Sequence, residues 1–170
     1  PGVSEDALKA YGATLEEARA DLFGLYYMAD PKMIELQLLP NANAYKAAYY
    51  RYLLNGLITQ SVRIPIGENI EESHMRNRQL IAKYVYEKGL SEKVAELLNK
   101  NGKTYLVIND YERLRQLFGN LLSEVQRIKS EGDYEAGKDL VEEYAIKINP
   151  ELHKEVIERY KKLDIAPYRG

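Results

Sequence analysis

Residues 110–132 read DYERLRQLFGNLLSEVQRIKSEG, and this stretch decides the fold class. Its large apolar residues recur at steps of three and four, which is the period of one face of a helix. They are Leu114, Leu117, Phe118, Leu121, Leu122, Val125 and Ile128. Asp110 is of a type that caps helix N-termini, and Gly132 is of the type that ends helices. The pattern therefore predicts one long amphipathic helix with its apolar face in a hydrophobic core.

The same reasoning, extended in both directions, predicts a mainly α fold. After a short helical turn over 4–9, helices are expected over about 14–28, 31–39, 41–60, 70–88, 91–101, 133–144 and 150–163. KTYLVIND at 103–110 is the best strand candidate, and AIKIN at 145–149 is its expected partner. We expect a single helical domain over residues 1–170 with one minor β pairing.

Composition excludes several classes of partner. The chain has 170 residues and a formal net charge of -2, so it lacks the basic surface expected for binding nucleic acid or an anionic membrane. No apolar run approaches the roughly 20 residues that a membrane-spanning helix needs. Cysteine is absent, which excludes disulfides and thiolate metal sites and fits a reducing compartment. We expect a cytoplasmic protein that binds neither nucleic acid nor membrane.

Three acidic residues cluster near the start of the first long helix, in TLEEARAD at residues 14–21. Glu17 and Asp21 are four apart and share a helix face, whereas Glu16 lies about 100° round the axis. One interpretation is helix capping, because Thr14 and Glu17 have the spacing of a capping box and acids suit the N-terminal dipole. The other is that one carboxylate binds a metal ion while its neighbours orient the site. The pattern alone favours capping.

The second candidate group lies in the helix predicted over 70–88. His74 and Arg78 are four apart and share a face, which suits an anionic or carbonyl-bearing substrate. The alternative is an ordinary charged surface with local ion pairs. His153, the other histidine, is predicted to be a surface residue in the first turn of the last helix. The chain has no glycine-rich phosphate loop and no H-E-x-x-H, so it carries no complete catalytic set.

Three segments, in order along the chain, resemble the dipeptidyl-peptidase III family. EEARAD at 16–21 resembles its second zinc motif, E-E-x-R-A-(E/D), and HMRNR at 74–78 resembles its H-M-x-x-R helix. VQRIKSEGD at 125–133 is similar to its C-terminal helical region. The resemblance covers nearly all of the chain. It implies part of the helical zinc lobe of a two-lobed peptidase, which removes dipeptides from the amino end of short peptides with zinc-activated water.

The resemblance also implies a role for each candidate residue. Glu17 falls on the third zinc ligand, and the flanking acids Glu16 and Asp21 fall on residues that accept hydrogen bonds from the zinc-binding histidines. His74 falls on the histidine that stabilises the scissile carbonyl as it becomes an oxyanion. Arg78 falls on a basic residue that supports substrate binding. Asp21 is shorter than the usual glutamate and reaches less far.

One family motif is missing from these residues. H-E-x-x-G-H, which supplies two zinc histidines and the general base, is absent, and in bacterial relatives it lies just upstream of a segment like residues 1–14. We therefore expect an inactive fragment that binds no zinc by itself, from a zinc-binding parent whose remainder packs on it. The alternative is a non-catalytic helical scaffold or interaction module. Some bacterial relatives carry a fused Nudix-like domain at the amino end, and the parent could be one of them.

Overall fold

The computed structural model describes residues 5–38 and 40–164, and most of them are helical. The α-helices are α1 (Gly12–Met28), α2 (Lys32–Glu35), α3 (Ala44–Leu57), α4 (Ser73–Lys88), α5 (Tyr111–Glu131), α6 (Tyr134–Tyr144) and α7 (Pro150–Asp164). Short 3-10 helices cover Glu5–Tyr11, Thr59–Arg63 and Leu90–Glu92. Strands β1 (Ala95–Lys100) and β2 (Lys103–Ile108) form a two-stranded antiparallel sheet. The predicted mainly α class with one minor β pairing is confirmed.

Helix α5 is the long helix that the sequence predicts, and its apolar face belongs to the hydrophobic core. The Asp110 carboxylate accepts a hydrogen bond from the backbone N–H of Arg113 at 2.9 Å and so caps its first turn. Gly132 ends the helix with a left-handed φ of 62°. All seven apolar residues of the predicted face are buried. The local pattern therefore fixed both ends and the buried face.

Helix α4 joins the helices of the core, because it contacts α1, α3, α5 and α6. Helix α1 contacts both α5 and α4, and α3 packs on α4. The closest approach of α3 to α4 requires a glycine, because a Cβ at Gly56 would lie 2.5 Å from the carbonyl oxygen of Arg78. One hydrophobic cluster joins these helices to the sheet, and its fully buried members include Leu22, Tyr49 and Leu80. None of the helices in the described part of the chain has the length and apolar character needed to cross a membrane.

Helix α1 begins two residues before Thr14, and this overturns the predicted capping box. Its first residue is Gly12, and the preceding Tyr11 makes no capping hydrogen bond through its side chain. The 3-10 segment Glu5–Tyr11 is kinked at Lys9, whose φ is 49°, and the chain then runs into α1, so Thr14 lies inside the helix and is buried. Glu17 consequently lies in the body of the helix and cannot serve as the acid of a capping box.

The segment after Ser91 is a β-hairpin, and the helix predicted over 91–101 is wrong. Asn101 and Gly102 have φ of 54° and 78°, and a two-residue turn with both φ positive matches the twist of a hairpin. The strand predicted in KTYLVIND is confirmed as β2, but its partner is β1. The predicted pairing with 145–149 is therefore also wrong.

Residues 145–149 connect α6 to α7 and are held by single hydrogen bonds to the α4 region. The backbone N–H of Ile70 donates to the carbonyl of Ile146 at 2.9 Å. The buried amide of Gln79 donates to the carbonyl of Lys147 at 2.8 Å. The two backbone carbonyls of this connection are therefore hydrogen-bonded without being part of a β-sheet.

His153 is buried, with 2% of its surface exposed, and the prediction of a surface residue is wrong. Its Nε2 lies 2.7 Å from the carbonyl oxygen of Ile64 and 3.1 Å from that of Ser61. A ring nitrogen that reaches two carbonyls can be buried without leaving its polar atom unsatisfied. Together with buried Val156, His153 fixes α7 on the 3-10 helix that follows α3.

Three predicted helices are shorter in the structure. The segment over 31–39 contains only α2, because Gln37 has a left-handed φ of 60° that ends the helical run. The segment over 41–60 contains α3 followed by a 3-10 helix, and the segment over 70–88 contains α4, which starts at Ser73. Two residues of the predicted helical segments lie outside the described residues: Ser4 and Leu39.

Candidate functional site

The predicted site residues meet where α1 packs on α4, and we call this region the α1–α4 seam. Glu17 and Asp21 contribute to it from α1, while Ser73, His74 and Asn77 contribute from α4. Residues four apart lie on the same face of a helix. The same spacing on both helices therefore brings a row of carboxylates against a row of polar side chains.

The two oxygens of the Glu17 carboxylate have different surroundings. Its Oε1 accepts a hydrogen bond from the Ser73 hydroxyl at 3.2 Å. Its Oε2 lies 3.3 Å from His74 Nδ1, without hydrogen-bond geometry. Although 27% of the side chain is exposed, Oε2 is buried and has no hydrogen-bond partner among the described residues. A buried carboxylate oxygen without a partner is costly, so its chemistry fits a bond to a cation or to a donor from elsewhere.

The Asp21 carboxylate is held firmly by two side chains. The Tyr52 hydroxyl and the buried Asn77 amide each donate a hydrogen bond to Asp21 Oδ2 at 2.8 Å. Burial and the neighbouring Asp21 carboxylate raise the pKa of the Tyr52 phenol well above its usual value, and the Arg78 charge opposes that rise. The phenol is therefore a protonated donor at neutral pH, and it fixes Asp21 together with Asn77.

Glu16 is placed against a different neighbour. Its carboxylate pairs with Arg19 at 2.6 Å and with Lys129 of α5. These two hydrogen bonds lower the pKa of Glu16 to about 2, with Arg19 the larger cause. The structure therefore brings Glu17 and Asp21 together on the α1–α4 seam, while Glu16 faces α5.

His74 and Arg78 extend the seam along α4. His74 lies in the first turn, where its backbone N–H and that of Met75 donate to the Glu72 carboxylate at 2.8 and 3.0 Å. Its imidazole is largely exposed, with 64% of the side chain accessible. Arg78 is half-buried one turn later and close enough to Tyr52 to influence its phenol. Their roles towards a substrate stay predictions.

Sequence reasoning missed three residues of this site: Ser73, Asn77 and Tyr52. The first two were within reach, because their spacing of four matches that of the two carboxylates they contact. Tyr52 comes from α3, and no pattern in a single sequence indicates which helix lies against α1.

The seam contains a carboxylate oxygen whose chemistry suits a metal ion. Carboxylate oxygen is among the ligands that zinc accepts, and Glu17 Oε2 is the unpaired candidate. Over residues 5–38 and 40–164, no group of three or more His, Cys, Asp or Glu side chains is arranged to hold a metal ion. The described residues therefore form no complete metal site, and Glu17 as a ligand stays a prediction.

Comparison with known proteins decides the family. Residues 4–162 match the family described as Peptidase family M49. The chain belongs to peptidase family M49. Dipeptidyl peptidase 3 from Mus musculus is 28% identical over 142 residues, which cover 78% of this chain and 19% of that protein. The structure of DPP III from Caldithrix abyssi superposes with a TM-score of 0.68 at 25% identity, covering 91% of this chain and 27% of that one.

The M49 match confirms the resemblance that EEARAD, HMRNR and VQRIKSEGD indicate. The chain covers 19% and 27% of the two relatives, so it corresponds to a minor part of either length. What the relatives do as whole proteins passes to this chain only as a proposal.

Proposed function

We propose that this chain is the C-terminal helical part of the zinc lobe of a dipeptidyl-peptidase III-type enzyme, with Glu17 as the third zinc ligand. The observation that carries the proposal is the buried Glu17 Oε2, which has no partner among the described residues and lies beside His74. The M49 match and the small share of each relative that the chain covers support it.

Each residue of the α1–α4 seam has a separate role in this proposal. Zinc supplies Lewis-acid polarisation and an activated water when it is bound. Glu17 would hold the ion through its carboxylate, and Asp21, fixed by Tyr52 and Asn77, would accept the outer N–H of a zinc histidine from another part of the protein. The exposed His74 imidazole donates a hydrogen bond to the oxygen of the scissile carbonyl as negative charge develops on it. Such a donor typically lowers the activation free energy by about 3 kcal/mol.

The substrate in this proposal is a short peptide that loses its N-terminal dipeptide. Arg78, half-buried behind His74, supports substrate binding through its charged guanidinium. Glu16 was expected to orient a zinc histidine, and its contacts with Arg19 and Lys129 instead support a role in packing α1 on α5.

The isolated 170 residues are proposed to be inactive. They contain one candidate ligand carboxylate and no H-E-x-x-G-H, so the two zinc histidines and the general base come from another segment. The remainder of the parent then packs on this chain to complete the site. A cytoplasmic location is part of the proposal and is supported by the absence of cysteine.

The test compares zinc content and dipeptide release from an arginyl-arginyl naphthylamide substrate, using the complete gene product. We expect one bound zinc ion and activity, both lost in Glu17→Ala. Glu135→Ala, which removes an exposed acid from α6, is the matched control and should leave both unchanged. A complete gene product without zinc, or a Glu17→Ala variant that keeps its zinc, would refute the proposal and favour the non-catalytic scaffold.

A further inference from the structure

Two side chains of α4 donate to the two carboxylates of α1 in matching register. The Ser73 hydroxyl donates to Glu17 Oε1 at 3.2 Å, and the Asn77 amide donates to Asp21 Oδ2 at 2.8 Å. The two donors are four residues apart on α4, and the two acceptors are four residues apart on α1. The two hydrogen bonds are therefore separated by about 6 Å along the helices. The seam is therefore crossed by two hydrogen bonds, and the one from Ser73 uses Glu17 Oε1 and leaves Oε2 without a hydrogen bond among the described residues.

The position of Ser73 is fixed by the start of α4. Ser73 is the first residue of the helix, and the Glu72 carboxylate caps the next two backbone N–H groups. A hydroxyl in the first turn of a capped helix has few positions available. It can therefore act as a fixed donor to the more flexible Glu17 side chain, whose terminal torsion is broad.

We propose that Ser73 is a positioning residue, which binds Glu17 Oε1 so that Oε2 is directed at the zinc ion. This inference rests on the proposed function, since it takes Glu17 as a zinc ligand. An ionised carboxylate has two equivalent acceptor oxygens, and one fixed donor makes them inequivalent. The observed result is an Oε1 bonded to Ser73 and a buried Oε2 without a partner among the described residues.

Loss of the hydroxyl frees the carboxylate to rotate, so the cost should appear in zinc affinity. Partners of metal ligands typically contribute 10–100-fold to metal affinity. Because the Ser73 contact is a single neutral donor at 3.2 Å, we expect the lower end, about tenfold.

The experiment measures the zinc dissociation constant of the complete gene product by chelator competition at one pH, together with the melting temperature. Ser73→Ala should raise the dissociation constant about tenfold, whereas Ser73→Thr, which retains a hydroxyl, should stay within about threefold of the starting protein. Ser130→Ala is the matched control, because its hydroxyl donates to the backbone carbonyl of Arg127 on α5. It should change neither quantity.

A double-mutant cycle separates positioning from a general structural effect. If Ser73 acts through the Glu17 carboxylate, adding Ser73→Ala to Glu17→Asp, which keeps a ligand carboxylate but is one methylene too short to hold the Ser73 contact, should cause little further loss of zinc affinity. Normal affinity in Ser73→Ala, a failure of Ser73→Thr to restore it, or an undiminished effect in the Glu17→Asp background would each overturn the inference. If Glu17→Ala itself leaves zinc affinity unchanged, the proposed function fails, and the inference fails with it.

Discussion

Gly56→Ala tests whether the close approach of α3 to α4 positions the site. A Cβ at Gly56 would lie 2.5 Å from the carbonyl oxygen of Arg78 and 2.7 Å from the Cβ of Ala82. The first is a backbone atom of α4 and the second is attached directly to its backbone. Neither can therefore move aside unless the helix itself moves. To reach ordinary contact near 3.5 Å, the two helices must separate by about 1 Å. His74 would move with α4.

The free-energy cost follows from two opposing effects. Overpacking typically costs about 1–3 kcal/mol, while alanine at a helical glycine regains up to about 1 kcal/mol through helix propensity. We expect a net loss of about 1–2 kcal/mol in the free energy of unfolding of the 170-residue chain. If His74 acts on the substrate as proposed, a shift of about 1 Å should lower kcat/KM of the complete gene product by about 100-fold.

Gly24→Ala provides the matched comparison. Gly24 lies within α1, and a Cβ there would meet no atom within 4 Å. Without a clash, this substitution should raise the free energy of unfolding by about 0.5–1 kcal/mol. Urea denaturation of the two variants gives the difference directly. If both substitutions stabilise the chain equally, or if Gly56→Ala destabilises it without lowering kcat/KM, the reasoning about helix position is refuted.

Two further predictions concern stability. His153→Ala removes the ring that lies against two carbonyls, so the free energy of unfolding should fall by about 2–3 kcal/mol. The matched control is Lys154→Ala, which changes the exposed neighbouring residue and should alter the free energy of unfolding by less than about 0.5 kcal/mol. Equal urea midpoints for these variants would contradict the burial of His153. Hydrogen bonds from Arg127 lower the pKa of Glu124 below its usual 4.5, so this pair stabilises the fold above pH 4.5 and the contribution is lost as pH falls through the lowered pKa. Arg127→Ala should therefore lower the urea midpoint at pH 7. It should also reduce the fall of the urea midpoint as the pH drops below 4.5, and an unchanged dependence of the midpoint on pH would refute this.

The local sequence pattern was sufficient to predict those helices whose own apolar period defines the buried face. Helix α5 was predictable because period, cap and terminal glycine agree within 23 residues over 110–132. The hairpin was missed because AELLNK at 95–100 contains good helix formers, so local propensity favoured a helix. Pairing with the next segment overrides that propensity, and the signal for it was Asn101–Gly102 between two apolar runs.

The candidate site was predictable only along each helix. Helix geometry places Glu17 and Asp21 on one face, whatever lies opposite. Their partners are remote in sequence, since Tyr52 is 31 residues and Asn77 is 56 residues from Asp21. Which faces meet depends on the packing of α1, α3 and α4, and the period of a single helix carries no information about that packing.

The acidic doublet shows why spacing could not separate ion pairing from metal binding. Helix α1 lies between α5 and α4, and adjacent residues on it point about 100° apart. Glu16 therefore reaches Lys129 on α5, where two cations hold its pKa near 2, while Glu17 reaches Ser73 on α4. The Glu16 carboxylate is therefore held by two cations, while the buried Glu17 Oε2 has no hydrogen-bond partner among the described residues. Of the two interpretations of the cluster, capping is wrong because α1 already begins at Gly12, and metal binding by Glu17 stays a prediction.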